Sequence, residues 1–322
     1  MSTAPLNQLA EVDYRPSTPR SYAPKIGLIG CGGITHQHLR AYRAAGFHVA
    51  ALCDVRIERA HERAQEFFPQ AVVTDDYQQL LRDDSIEVID VATHPGERVP
   101  LIESAILAGK HVLSQKPFVL DLDAGQRLVD LADKHSTVLA VNQNGRWAPH
   151  FSFARVAAEN GLLGDVFAAH LGCHWDHSWV AGTEFEKIEH LVLYDYAIHW
   201  FDIVRCFFSH RPVRRVFAST ARVPRQTLMP PLMAQALIEF DEGQATLAFD
   251  AGVVHGPFDQ TQVGTDGSLL SQGPSIQSQQ LTVTTAAGEV SSRWPVRGFP
   301  TVFTAAPWAN CCVRSKSAPL HD

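Results

Sequence analysis

The stretch KIGLIGCGGITHQHLRAYRAAGFHVAALCD, residues 25–54, restricts the fold of this chain more than any other. Ile26, Leu28 and Ile29 make a short apolar strand, and Gly30, Gly32 and Gly33 make a turn with no side chains to obstruct a ligand. Ile34 to Ala45 then carries helical spacing, and a second strand ends at Asp54. A helix that starts on such a turn directs unpaired backbone N–H groups and its positive end outward, which suits a pyrophosphate. A carboxylate at the tip of the next strand can accept hydrogen bonds from a ribose diol. Strand, turn, helix and acid in that order predict a dinucleotide site. The glycines alone predict only a tight βα connection.

The rhythm that starts there continues. Strands are expected near 26–30, 48–53, 86–92, 111–115 and 138–142, with helices near 34–45, 56–68, 97–109 and 121–134. That alternation predicts an α/β fold with a parallel, doubly wound Rossmann sheet, whose ligands bind at the carboxyl ends of its strands. After Pro149 the pattern changes. A helix over 150–159 leads to a long strand, DVFAAHLGCHWDH, and a second helix is expected over 192–208. Strands then follow at 213–222, 234–240, 244–251, 260–265, 281–285 and 289–294. This describes an α+β domain on an open, largely antiparallel sheet. The expected organisation is an arm over 1–24, a dinucleotide-binding domain over 25–148, an α+β domain that would hold the substrate over 149–300, and an atypical tail over 301–322.

Composition narrows the partners. A net charge of −7 gives no footprint for nucleic acid or an anionic membrane surface. No run of about 18 apolar residues offers a membrane span. Residues 1–24, rich in Pro, Ser, Thr and Ala, read as a flexible arm and not as a targeting segment. The six cysteines contain no CxxC pair, which points to a reducing, cytoplasmic compartment and away from disulfides or structural zinc.

Several side chains could carry chemistry. Lys116 follows the strand His111 to Gln115, where its cation can hydrogen-bond a substrate hydroxyl and favour a developing alkoxide; a surface loop lysine is the bland reading. Asp195 and His199 stand four apart in an expected helix, so carboxylate and imidazole share a face, and the aspartate can orient a histidine base. A surface ion pair, or a packing histidine, fits the same spacing. Asp202 reads as a structural hydrogen-bonding partner. His170 and His174 share a strand face while His177 faces the other way, unless the strand ends first, and no further ligand completes a metal site. A polar substrate groove, with Trp175 and Trp179 as stacking surfaces for a sugar ring, is the preferred reading, and no metal is expected. Asn144 and Arg146, after the last strand of the first domain, could contact nicotinamide or substrate, or tie the domains together.

Taken in order, these features resemble the glucose-fructose oxidoreductase / inositol dehydrogenase / MocA family from about Lys25 to about Pro300. The glycine loop IGCGGIT, the acid Asp54, Thr93-His94-Pro95, AGKHVLSQKP, Arg146-Trp147-Ala148-Pro149 and the Asp195, His199, Asp202 helix carry the likeness. The resemblance implies an NAD(P)-dependent dehydrogenase acting on a secondary alcohol of a sugar, cyclitol or related polyol, with Lys116, Asp195 and His199 catalytic. It places Gly30, Gly32, Gly33, Ile34, Asp54, Arg56, Thr93, His94, Gln115, Lys116 and Asn144 around the cofactor. It places Lys116, Arg146, Trp175, Tyr194, Asp195 and His199 around the substrate. Asp54 favours NAD, and Arg56 leaves NADP open. A homodimer or homotetramer, joined through the exposed face of the second sheet, is implied as well. Two other readings stand beside this one: an NAD-dependent glycoside hydrolase of the same family, and a ligand-sensing relative without catalysis.

The sequence departs from the family pattern at four places. Thr35 stands where a third glycine or a small residue is common, Gln115 replaces the usual glutamate before Lys-Pro, and Arg98 stands where histidine is common. The fourth is the end of the chain, PTVFTAAPWANCCVRSKSAPLHD, which lacks the turn and helix expected after the last strand. A one-base deletion near Pro300 would produce such a tail, and sequencing the coding DNA checks it.

Overall fold

The computed structural model of the chain describes residues 14, 19, 21–252, 258–275 and 278–294. The tail after 294 and most of the arm before 21 lie outside the described residues. The described chain divides into two compact units at Asn144/Gly145, with Tyr14 counted in the second.

In the first unit, β1 (Lys25–Ile29), β2 (His48–Cys53), β3 (Val72–Thr74), β4 (Val88–Val91), β5 (His111–Gln115) and β6 (Leu139–Asn142) form one sheet in the order β3-β2-β1-β4-β5-β6. Each neighbouring pair is parallel. The linking helices are α1 (Thr35–Ala45), α2 (Ile57–Phe67), α3 (Tyr77–Arg82), α4 (Pro95–Leu107) and α5 (Leu122–Lys134). They cover two faces. Leu39 and Tyr42 of α1 and Ala60, Ala64 and Phe67 of α2 pack on Ile26, Leu28 and Leu52. Leu80 of α3, Ile102 and Ile106 of α4 and Leu128 of α5 pack on Ile29, Ile89, Val91 and Val112. Each large aliphatic side chain removed from water contributes about 1.5–3 kcal/mol. A buried polar knot fixes α1 on this core: Asp90, fully buried on β4, accepts from the Tyr42 hydroxyl at 2.7 Å and pairs with His38 Nδ1 at 2.7 Å.

Two elements of this unit, β3 and α3, are absent from the sequence reading. Three and six residues are too short to show a period, although Asp76 caps α3 by accepting from Gln78 N–H at 2.9 Å.

The second unit runs α6 (Pro149–Glu159), β7 (Val166–His174), two short 3-10 turns, a π turn (Val192–Tyr196) and α7 (Ile198–Phe207). Seven strands follow: β8 (Val213–Ala221), β9 (Met233–Phe240), β10 (Gly243–Asp250), β11 (Phe258–Gly264), β12 (Gly267–Ser275), β13 (Ser278–Thr285) and β14 (Gly288–Trp294). The sheet order is β14-β13-β12-β11-β7-β10-β9-β8, with β7 and β10 parallel and the other neighbours antiparallel. Insertion of β7 between β10 and β11 makes the sheet mixed. β12 escapes the sequence reading because GSLLSQGPS is poor in strand formers; pairing with β11 and β13 holds it extended.

Two expectations are corrected here. The strand expected to run through His177 ends at His174. The helix expected from 192 is not regular: Ala197 N–H donates to Val192 O at 2.7 Å, a five-residue π step, before α7 begins. Among the described residues, no helix is long and apolar enough to cross a membrane.

Candidate active site

The glycine turn of the first unit is held from behind and open in front. Gly30 has φ +95°, and a Cβ there would come within 3.0 Å of the Ala92 carbonyl, so both backbone and space demand glycine. A Cβ on Gly32 or Gly33 would meet nothing within 4 Å. Thr35 closes the turn by donating from Oγ1 to Gly32 O at 2.6 Å. Ile34 occupies the cap position of α1 and offers no side-chain hydrogen bond, and the first turn holds no acid. Gln37 N–H turns back onto Ile34 O at 2.9 Å, and the N–H groups ahead of it are left for an external anion. Asp54 braces the turn: its two oxygens accept from Cys31 N–H at 2.7 Å and Arg56 N–H at 2.8 Å. Burial and then Asp54 push the Cys31 thiol up to about 12, so it stays neutral. Burial and then Asp54 do the same to Cys53, also to about 12.

The carboxyl ends of β4 and β5 are clamped by a residue whose task the sequence does not reveal. Arg98, 3% exposed, donates from Nε and Nη2 to Thr93 O at 2.8 and 2.6 Å, and from Nη1 to Gln115 O and Pro117 O. It thereby fixes the two loops that carry Thr93 and Lys116. Gln115, at the departure from the family glutamate, accepts the Lys116 N–H through Oε1 at 2.9 Å. Lys116 itself is half-buried. His94 caps α4, its Nδ1 accepting from Gly96 N–H at 3.3 Å. Thr93 Oγ1 and Asn144 Oδ1 are buried without a hydrogen-bond partner among the described residues. Open space at the glycines, an uncapped helix start and orphaned polar atoms past β4 and β6 fit a bound dinucleotide.

In the second unit, Asp195 lies buried on the π turn and His199 half-buried in the first turn of α7. Gly145 lies against the histidine: a Cβ at 145 would fall 2.9 Å from His199 Cβ and Nδ1. Arg146 is turned onto Asp202, donating from Nε to Oδ2 at 2.7 Å and from Nη2 to Oδ1. That bidentate pair gives Asp202 the structural role its position suggested. Tyr194 is half-buried, while Trp175 and Trp179 expose about half their surface, 45% and 52%.

The three histidines go to three different partners. His170 Nδ1 lies 2.6 Å from Thr246 Oγ1, His174 Nδ1 lies 3.0 Å from Asp250 Oδ2, and His177 Nε2 lies 3.6 Å from Asp195 Oδ2. Among the described residues, no group of three His, Cys, Asp or Glu side chains is placed to hold a metal. The aspartate that sequence spacing joins to His199 thus also faces His177, a residue left outside the expected site. The chain beyond β7 carries His177 there, running on beside the end of β10 with Trp175 N–H on Asp250 O at 3.1 Å and His177 N–H on Ala251 O at 2.8 Å.

Comparison with known proteins agrees with this architecture. Residues 24–143 match the oxidoreductase family described as an NAD-binding Rossmann fold, and residues 151–270 match the GFO/IDH/MocA C-terminal domain. D-apiose dehydrogenase of Paraburkholderia graminis is 28% identical over 249 residues, covering 76% of this chain and 65% of that protein. The chain spans less than two thirds of the length of the curated relatives it matches first. Among solved structures, an oxidoreductase from Agrobacterium radiobacter in complex with NAD+, L-tartaric acid and magnesium superposes with a TM-score of 0.77 at 22% identity, covering 88% of this chain and 85% of that one. An inositol dehydrogenase homologue from Azotobacter vinelandii, complexed with NADH and myo-inositol, gives 0.72 at 20% identity, covering 88% and 79%. This chain belongs to the glucose-fructose oxidoreductase / inositol dehydrogenase / MocA oxidoreductase family, and its first unit is that family's NAD-binding Rossmann domain.

Proposed function

We propose that the protein is an NAD-dependent dehydrogenase that oxidises a secondary alcohol of a sugar, cyclitol or related polyol. One observation carries this reading. The uncapped start of α1, the Asp54 carboxylate and Lys116 follow β1, β2 and β5, so they share the carboxyl edge of one parallel sheet. A cation at the cofactor-binding edge suits an alcohol that must become an alkoxide. The polyhydroxylated ligands and substrates in the names of similar proteins, D-apiose, myo-inositol and L-tartaric acid, support the substrate class.

NAD, when bound, supplies the hydride acceptor. The backbone N–H groups of Gly32, Gly33 and Ile34 would hold its pyrophosphate, and Asp54 would accept from its ribose. The fixed negative charge of Asp54 opposes a 2′-phosphate, while Arg56 keeps NADP worth assaying. Lys116 hydrogen-bonds the reacting oxygen, His199 accepts the hydroxyl proton, and Asp195 orients His199. Trp175 and Tyr194 flank the substrate, and Arg146 contributes by fixing the start of the second unit through Asp202. We also propose a homodimer or homotetramer formed through the second sheet, whose edge strand β8 exposes Val216 and Phe217; light scattering checks the mass.

The test is a screen of D-apiose, myo-inositol, L-tartrate and p-nitrophenyl glycosides with NAD and with NADP. Stoichiometric NADH from a polyol is the expected result. Sugar release without net NADH would establish the glycoside hydrolase instead, and saturable polyol binding without any turnover would establish the ligand sensor.

A further inference from the structure

His177 lies three residues beyond β7 and is 3% exposed, yet neither ring nitrogen has a hydrogen-bond partner among the described residues. Its imidazole sits among the rings of Trp175, Trp179 and Tyr196, at centroid distances of 5.5, 5.2 and 4.8 Å. The backbone locks it there, since His177 N–H donates to Ala251 O at 2.8 Å. An imidazole always carries at least one N–H, and a buried N–H without an acceptor is unfavourable. Aromatic walls are poor acceptors. The strong acceptor within reach is Asp195, whose Oδ2 is 3.6 Å from Nε2, and about half an ångström of movement makes that an ordinary hydrogen bond.

Such a bond bears directly on the orientation of the Asp195 side chain. It stands on the π turn, where regular α-helical geometry no longer dictates the direction of its side chain relative to His199. We infer that His177 is a positioning residue for the oxidation: its Nε2–H donates to Asp195 Oδ2 and holds that carboxylate in the orientation that supports His199. The inference rests on the proposed function, which gives Asp195 and His199 their work. A purely structural role would use only the ring's packing against Trp175, Trp179 and Tyr196.

Two measurements separate these roles. In protein carrying nitrogen-labelled histidine, long-range proton–nitrogen spectra report which ring nitrogen holds the proton. A protonated Nε2 at His177, with signals that move on Asp195→Asn, is expected. A bare Nε2, or signals indifferent to that change, overturns the inference whether or not a substrate is known.

The second measurement is NAD reduction with whichever of D-apiose, myo-inositol and L-tartrate is oxidised. His177→Phe keeps an aromatic ring and removes the donor, and His177→Gln restores a donor near the Nε2 position. His177→Phe is expected to lower kcat at least about tenfold with KM changed by less than about threefold, and His177→Gln to recover most of the loss. Wild-type kcat in both variants overturns the inference. Melting curves verify the fold, and if His177→Phe does not fold, the spectra and His177→Gln decide. Turnover lost in Lys116→Ala and His199→Ala but intact in His177→Phe defeats this inference alone. Turnover intact in all three defeats the reading beneath it.

Discussion

The glycine turn of the first unit and the π-turn region of the second reach order by different routes. Around the turn, the groups that brace one another come from a single β1–α1–β2 stretch: Thr35 onto Gly32, and Asp54 onto Cys31 and Arg56. Around the π turn, the partners come from separate places: Asp195 from the π turn itself, His177 from beyond β7, and Gly145 from the start of the unit. A site braced locally can be read from a motif. A site braced by distant segments needs the fold.

That contrast can be broken or sharpened by substitution. The largest effect on stability is expected at Arg98, whose guanidinium satisfies three carbonyls at the ends of β4 and β5. Arg98→Ala leaves those carbonyls buried with their main donor gone and should cost on the order of 3 kcal/mol in denaturant unfolding. A loss below about 0.5 kcal/mol would mean that water replaces the clamp.

Gly145→Ala comes next. Its Cβ must displace the His199 ring, so turnover should fall between roughly tenfold and 10²-fold. NADH affinity should be unchanged, because the glycine turn keeps its own braces. Equal losses in turnover and NADH affinity would show that the two regions are not separable in this way.

The smallest step, taken one pH unit at a time, is acid sensitivity in the second unit. Burial pushes His150 down from 6.5 to about 3. Below pH 6.5 the unfolded chain therefore takes up a proton that the folded chain refuses. The contribution to stability is complete above about pH 6.5 and declines toward about pH 3, by about 1.4 kcal/mol per pH unit. His150→Gln should flatten the fall of Tm between about pH 6.5 and 4.5. An unchanged slope would assign the acid sensitivity to other groups.

Much of the fold was legible because its signals are local. Alternating apolar strands and amphipathic helices in 25–142 dictate the parallel sheet, and the glycine turn with Asp54 marks its cofactor edge. The mixed pairing of β7 with β10 was not legible, since sheet order depends on contacts between segments far apart in sequence. Nor was the π turn, because the Leu-Tyr-Asp-Tyr-Ala-Ile-His run from Leu193 to His199 fits regular α-helical spacing equally well. Arg98 showed only as a departure from a pattern. Its three carbonyl partners, spread over Thr93, Gln115 and Pro117, become a set only when β4 and β5 lie side by side.

The most direct measurement pairs NADH titration with steady-state turnover in Lys116→Ala and His199→Ala. Binding within about threefold of wild type, together with kcat lowered by about 10²-fold or more in each variant, is the expected result. Wild-type turnover in both variants would contradict the assignment of these residues to polyol oxidation.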